Sequence, residues 1–223
     1  MTKSPALGGD PVELGKLSFP ELEPERTAVL DALEPGLRIA PTTPARELYG
    51  GMLLKTALDG LSPEARQRAD DDLVYVSAVW GAVRPSDELP DYRVHMCERP
   101  AGLGHLVQYW QRPLESVLPG AAGDGVIIDL RSAEYLLAWR PTAEMADRWV
   151  GIKAVRDDSF TKGCDSSTSR SVRGRVLQRM LSDGLDAADP AELAAALEPH
   201  FAVQLRSPAD HLHPWELRVV QPG

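Results

Sequence analysis

At 223 residues, with 43% hydrophobic and 26% charged side chains, the chain can bury a substantial core and has the composition of an ordinary globular protein. A formal net charge of −9 speaks against a broad nucleic-acid-binding face, which needs an excess of Lys and Arg. No apolar run approaches the roughly 20 residues of a membrane span, the opening MTKSPALGGD lacks the apolar stretch of a signal peptide, and two cysteines, Cys97 and Cys164, suit a reducing cytosol. A cytoplasmic protein with no membrane partner is expected.

Residues 1–24 are rich in Gly and Pro without sustained periodicity and read as a loop or extended arm. Residues 21–33 are helical in pattern, with Pro24 near the start and Leu30 and Leu33 on one face. The prolines of EPGLRIAPTTPA make it a linker, and helical signals return over 45–58, interrupted at Gly50 and Gly51. Ser62 is placed as an N-cap with Pro63 at the first helical position; LVYVSAVWG either continues that helix or, being rich in Val and aromatics, forms a buried strand. Turn chemistry follows in RPSDELPDYRV, with a short strand expected at Tyr92–Met96.

LVQYWQRPLESVL (106–118) predicts an amphipathic helix, broken or restarted at Pro113. GVIIDLRS (125–132) is the strongest strand signal; its near-continuous apolar run predicts a central strand with Val126 and Ile128 fully buried. A helical turn follows in SAEYLLAW, then a strand at WVGIKAV (149–155), a basic helix at 169–181, a capped helix in DPAELAAALEP and a closing strand at 215–220. Strands alternating with helices predict an α/β fold of mixed α+β character: one domain over 1–223, a mixed sheet with packed helices, residues 182–223 supplying the last helix and strand.

Three stretches carry candidate chemistry. At the end of strand 125–130, Asp129 suits a base or hydrogen-bond anchor, Arg131 an anion grip and Ser132 a helix cap or ligand contact; an internal Asp129–Arg131 pair with a plain Ser132 cap explains the same letters. The loop 80–93 offers Arg84, Asp87, Tyr92 and Arg93, with Arg93 suited to a carboxylate or phosphate, or else simply a solvated charge. Residues 162–179 set Lys162, Arg170, Arg173, Arg175 and Arg179 against Asp165 alone, after a hydroxyl-rich turn CDSSTSR. That uneven charge suggests a local anion site, against the plainer reading of a solvated helix face. Gly102 and Gly104, ahead of a helix, form either a phosphate-binding turn or an ordinary corner. The histidines, His211 and His213 included, lack zinc-type spacing, so neither a metal nor a cofactor is expected.

Gly81, Arg84, Pro85, Asp87, Pro90, Tyr92, Arg93, Tyr109, Trp110, Ser132, Glu134 and Tyr135, with Arg170, Arg173 and Gly174 of the basic helix, together resemble the motif set of the YaaA peroxide-stress family. The resemblance spans about residues 3–181 and extends to LGKLSFPEL and RELYGGMLLKTALDGLS, similar to its actinobacterial branch. It implies a mixed α/β fold with a positively charged cleft, a helix-hairpin-helix element that binds DNA, and a part in surviving peroxide by limiting free iron. Lys3 is the one candidate for the family's loop lysine, because the chain begins just past the usual N-terminal strand, and Cys97 stands where the family has Gly. Three functions compete. One is a peroxide-stress protein that binds nucleic acid weakly. The second is an enzyme, of specialised metabolism, acting on an anionic small molecule, with Arg93, Arg131, Arg170 and Arg173 converging on it and Asp129, Tyr92 or Tyr135 handling protons. The third is an interaction module with no chemistry.

Overall fold

The computed structural model describes residues 8–33, 35–157, 159–210 and 212–220. In chain order its elements are α1 (Glu23–Ala32), β1 (Thr42–Pro44), α2 (Ala45–Leu48), α3 (Met52–Leu58), α4 (Pro63–Asp72), β2 (Tyr75–Ser77), β3 (Gly81–Val83), β4 (Glu88–Pro90), α5 (Leu106–Ala121), β5 (Ile127–Asp129), α6 (Ala133–Leu136), β6 (Trp149–Val155), α7 (Ser166–Asp183), α8 (Pro190–Leu197), β7 (Val203–Arg206) and β8 (Trp215–Val220). The fold is mixed α/β. No helix among the described residues is long and apolar enough to cross a membrane.

The chain forms two compact units that interleave in sequence. The first takes the described residues up to Gly51, Ala69–Ala121 and Arg131–Arg140; the second takes Met52–Arg68, Ala122–Leu130 and the described residues from Pro141 onward. In the first, two hairpin-like pairs, β1 with β4 and β2 with β3, run antiparallel, each three residues long. Their side chains and those of α1 and α5 bury Leu30, Leu48, Trp80, Leu89, Met96, Trp110 and Leu114. The expected arm contains single turns of 3-10 helix at Leu14–Lys16 and Pro20–Leu22.

The second unit carries a four-stranded sheet in the order β5-β6-β8-β7, parallel except for the β7–β8 pair. Val150, Ile152 and Ala154 of β6 and Leu217 and Val219 of β8 form one apolar face, against which α7 sets Val172 and Val176 and α8 sets Leu193 and Leu197. The caps are those that the physics of unpaired helix ends demands. Asp165 accepts from Ser167 and Thr168 N–H, Asp189 from Ala191 and Glu192 N–H, and Gly184 closes α7 in the left-handed region at φ 63°. Gly174 lets α3 lie against α7: a Cβ there would stand 2.6 Å from the Leu53 carbonyl oxygen.

Three expectations need correction. β5 is the terminal strand of its sheet, not a central one, and Val126 and Ile128 are half-buried. The apolar run does face the core, but a helical layer on one face suffices to bury Val126, Ile128 and Leu130 in part. No strand forms at Tyr92–Met96; the pairing falls on Glu88–Pro90 instead. Finally α5 runs unbroken through Pro113 and Pro119, because buried Leu106, Trp110, Leu114 and Val117 hold one face of the helix against the core. There tertiary packing outweighs the backbone cost of proline.

Candidate functional site

The loop after β3 is built around Asp87, which is 6% exposed. Its carboxylate accepts from Arg84 N–H at 2.8 Å and from both the N–H and hydroxyl of Ser18 at 2.9 and 3.0 Å. The Arg84 guanidinium donates to the Asp71 carbonyl and lies 5.5 Å from the centre of the Phe19 ring. Asp87 is thus engaged by the interior, and the half-buried Arg84 by the carbonyl of exposed Asp71.

Beside them sits Arg26, which sequence reading overlooks. It is 0% exposed, and it donates to the carbonyls of Trp80 (3.0 Å), Ala82 (2.8 Å) and Ser18 (2.6 Å). Burial lowers its pKa to about 10, and it remains a cation at neutral pH. Its signal was present in the pattern: Arg26 shares the i, i+3, i+4 face of α1 with buried Val29 and Leu30. Gly81, between the two accepting carbonyls, has φ 69° and a Trp110 ring atom 2.5 Å from where a Cβ would be.

Tyr92 is 5% exposed, and its hydroxyl lies 2.6 Å from both the Tyr49 hydroxyl and Ser77 Oγ. Burial drives its pKa well above 10, as it does for Tyr49. At neutral pH Tyr92 is therefore a hydrogen-bonding phenol and not a phenolate base. Tyr135, half-buried, is also raised by burial and then by Glu134. The exposed Cys97 thiol hydrogen-bonds Glu134, which raises its pKa and keeps it protonated.

Arg131 stacks on Trp139 at 5.3 Å and donates to the Tyr135 carbonyl at 3.3 Å. Ser132 occupies the N-cap position of α6 but makes no side-chain capping bond there. Arg93 is exposed, while Lys3 and His211 lie outside the described residues. Gly102 and Gly104 both have positive φ with open space around them, and both are exposed. The first N–H groups of α5 are already spent, Leu106 on the Glu98 carbonyl and Val107 on the Met96 carbonyl, each at 3.1 Å. That pairing ties the start of α5 back to Met96 and Glu98.

In the second unit, Asp129 accepts from Trp149 Nε1 at 3.1 Å, and its charge acts on Arg173. Arg173 is half-buried, and desolvation lowers its pKa. The Nε atoms of Arg173 and Arg175 are shielded and have no hydrogen-bond partner among the described residues. Arg170, one turn earlier, is exposed. The hydroxyls of the leading turn serve the cap: Ser167 Oγ and Thr168 Oγ1 bond Asp165 at 2.8 and 2.7 Å, and the Thr168 N–H together with these hydroxyls holds that carboxyl far below the usual range. No three His, Cys, Asp or Glu side chains gather as a metal would require among the described residues.

The family described as peroxide stress protein YaaA matches residues 14–205. The chain belongs to the YaaA family. A UPF0246 protein of Streptomyces coelicolor is 36% identical over 242 residues, covering 95% of this chain and 92% of the relative. A UPF0246 protein of Corynebacterium efficiens is 29% identical over 222 residues, 86% of each. The YaaA motif residues divide between the two units. Those from Gly81 to Trp110, with Ser132, Glu134 and Tyr135, fall in the first; Arg170, Arg173 and Gly174 fall in the second.

Proposed function

We propose that this YaaA-family protein meets peroxide stress, in the cytoplasm, by holding an anionic ligand of the phosphate or carboxylate kind at the arginines of α7. The observation that supports the reading is the shielded, unpartnered Nε of Arg173, one helical turn after the exposed Arg170 on the same face of α7. A guanidinium desolvated without an acceptor is costly, and an oxyanion offers the flat, paired acceptors that its fork of N–H groups matches. The helix N-terminus itself is filled by the Asp165 carboxylate, so the guanidinium groups are left as the anion-binding elements. A net charge of −9 favours a compact anion over duplex DNA.

Calorimetric titration of wild type and Arg173→Gln with inorganic phosphate, pyrophosphate and a short DNA duplex tests this. Wild type is expected to bind the small anions, and the variant to lose about tenfold or more in affinity, the value of a charged hydrogen bond. The same variant should fail to restore peroxide survival to a strain lacking its own family member. Absence of small-anion binding by wild type would overturn the reading. Tight duplex binding that collapses with salt would make nucleic acid the ligand instead.

A further inference from the structure

Phe19 is one of two non-glycine residues with positive φ among the described residues, at φ 58° and ψ 64°. The left-handed region crowds a Cβ, and the residue before a proline, here Pro20, prefers an extended backbone. This conformation is held by its neighbours. Ser18 gives its N–H and hydroxyl to Asp87 Oδ1 at 2.9 and 3.0 Å, and its carbonyl accepts from Arg26 Nη2 at 2.6 Å. The Phe19 ring itself lies under the Arg84 guanidinium, 5.5 Å from ring centre to Cζ. Leu17 and Leu22, 4% and 1% exposed, fix the two ends of the segment in the core. Between them Ser18 and Phe19 are half-buried and Pro20 is exposed.

The clamp can let go without dismantling its partners. Asp87 keeps the Arg84 N–H on Oδ2 at 2.8 Å, and Arg26 keeps the carbonyls of Trp80 and Ala82. Turning Phe19 to an extended φ rotates the Ser18–Phe19 peptide, so the Ser18 carbonyl leaves Arg26 as the strain is relieved. We infer that Ser18–Pro20 is a strap with two arrangements. Closed, it lays Ser18 on the Asp87 carboxylate and Phe19 on the Arg84 guanidinium; open, it uncovers both charged groups while the rest of the first unit stays folded. Strain gathered in one residue narrows the free-energy gap between the two, the condition for a local switch. The closed strap is thus an autoinhibitory contact on the Arg84–Asp87 loop. It lies wholly in the first unit and is independent of the anion reading at α7.

Two amides on one carboxylate supply the test. In native-state hydrogen exchange, corrected for intrinsic rates, the Ser18 N–H should exchange roughly tenfold or more faster than the Arg84 N–H, with little dependence on low denaturant. Equal protection of the two, falling together as denaturant is added, shows that the strap does not open on its own and overturns the inference. Phe19→Ala and Phe19→Gly both remove the ring, but only glycine removes the left-handed strain. Ser18 exchange should therefore be about fivefold slower in the glycine variant than in the alanine variant. Equal rates in the two variants refute the part given to strain. Carbodiimide-driven coupling of an amine to Asp87, read by peptide mass spectrometry, follows the same opening. Labelling faster in Phe19→Ala than in Phe19→Gly supports the strap, and a native protein that stays unlabelled at Asp87 refutes the uncovering.

Discussion

In the first unit, Arg26 and Asp87 are turned inward, and their hydrogen bonds go to the main chain and hydroxyl of Ser18 and to the backbone of Trp80, Ala82 and Arg84. On α7 of the second unit the guanidinium groups of Arg173 and Arg175 keep unpartnered Nε atoms, and Arg170 is exposed. The same residue type therefore does opposite work in the two places. Arg26 keeps one unpartnered nitrogen too, Nη1, but its Nε and Nη2 are held by three carbonyls of its own unit and it is 0% exposed, which makes it part of the architecture. The glycines divide in the same way. Gly81 and Gly174 are pressed against Trp110 and α3, while Gly102 and Gly104 have nothing near them.

The contrast is sharpest at Gly81. Gly81→Ala drives a methyl group into the Trp110 ring at a positive φ, and a loss of about 4 kcal/mol or more, up to failure to fold, is expected in chemical denaturation. Gly174→Val, which must part α7 from the Leu53 carbonyl and Thr56, should cost about 3 kcal/mol by the same measurement. Arg26→Met, which strands the carbonyls of Ser18, Trp80 and Ala82, should cost about 2–3 kcal/mol. Were it neutral, the architectural role assigned to buried arginine in the first unit would be wrong. Gly104→Ala meets only the backbone cost of positive φ, about 1 kcal/mol, and should leave ligand affinity unchanged if the turn is a corner.

The smallest effect is one of pH. The Asp165 carboxyl is held below its unfolded value by the N–H and hydroxyl groups of Ser167 and Thr168. A depressed pKa contributes stability that is complete above the unfolded value of about 4 and is lost as pH falls through the folded one. Asp165→Ala should therefore flatten the acid limb of the stability curve below about pH 4 and lower the plateau above it. An unaltered acid limb would show that the cap is not formed.

Much of the fold was legible because local rules wrote it. The helices α1, α4, α7 and α8 announce themselves by period, with Ser62 placed before α4 and a capped start in DPAELAAALEP. By contrast α7 begins at Ser166, three residues ahead of the expected 169–181 helix, after a cap at Asp165 that the pattern did not single out. The strands β6 and β8 match their apolar runs. The three-residue strands β1, β3 and β4 were not legible, since partners distant in sequence define them. The position of β5 at the sheet's end also escapes periodicity, which reports how apolar a strand is and not how many neighbours it has. At the candidate site, the motif letters Arg84 and Asp87 were visible, but the inward direction of Asp87 was not. The place of Arg26 on the buried face of α1 was in the pattern, but its acceptors were not, since the carbonyls of Trp80 and Ala82 lie more than fifty residues away.

The terminal place of β5 bears on how any variant at Asp129 must be judged. A sheet's last strand offers unpaired backbone groups to other chains, and natural proteins blunt that hazard with short strands and charged side chains. β5 has both devices, three residues in all with a carboxylate at its end. Replacing Asp129 by an apolar residue removes a candidate chemical group and a guard against self-association together. Loss of function in such a variant speaks to chemistry only when light scattering shows the protein still dispersed, and Asp129→Asn or Asp129→Lys, which keep the strand end polar, are the substitutions that separate the two effects.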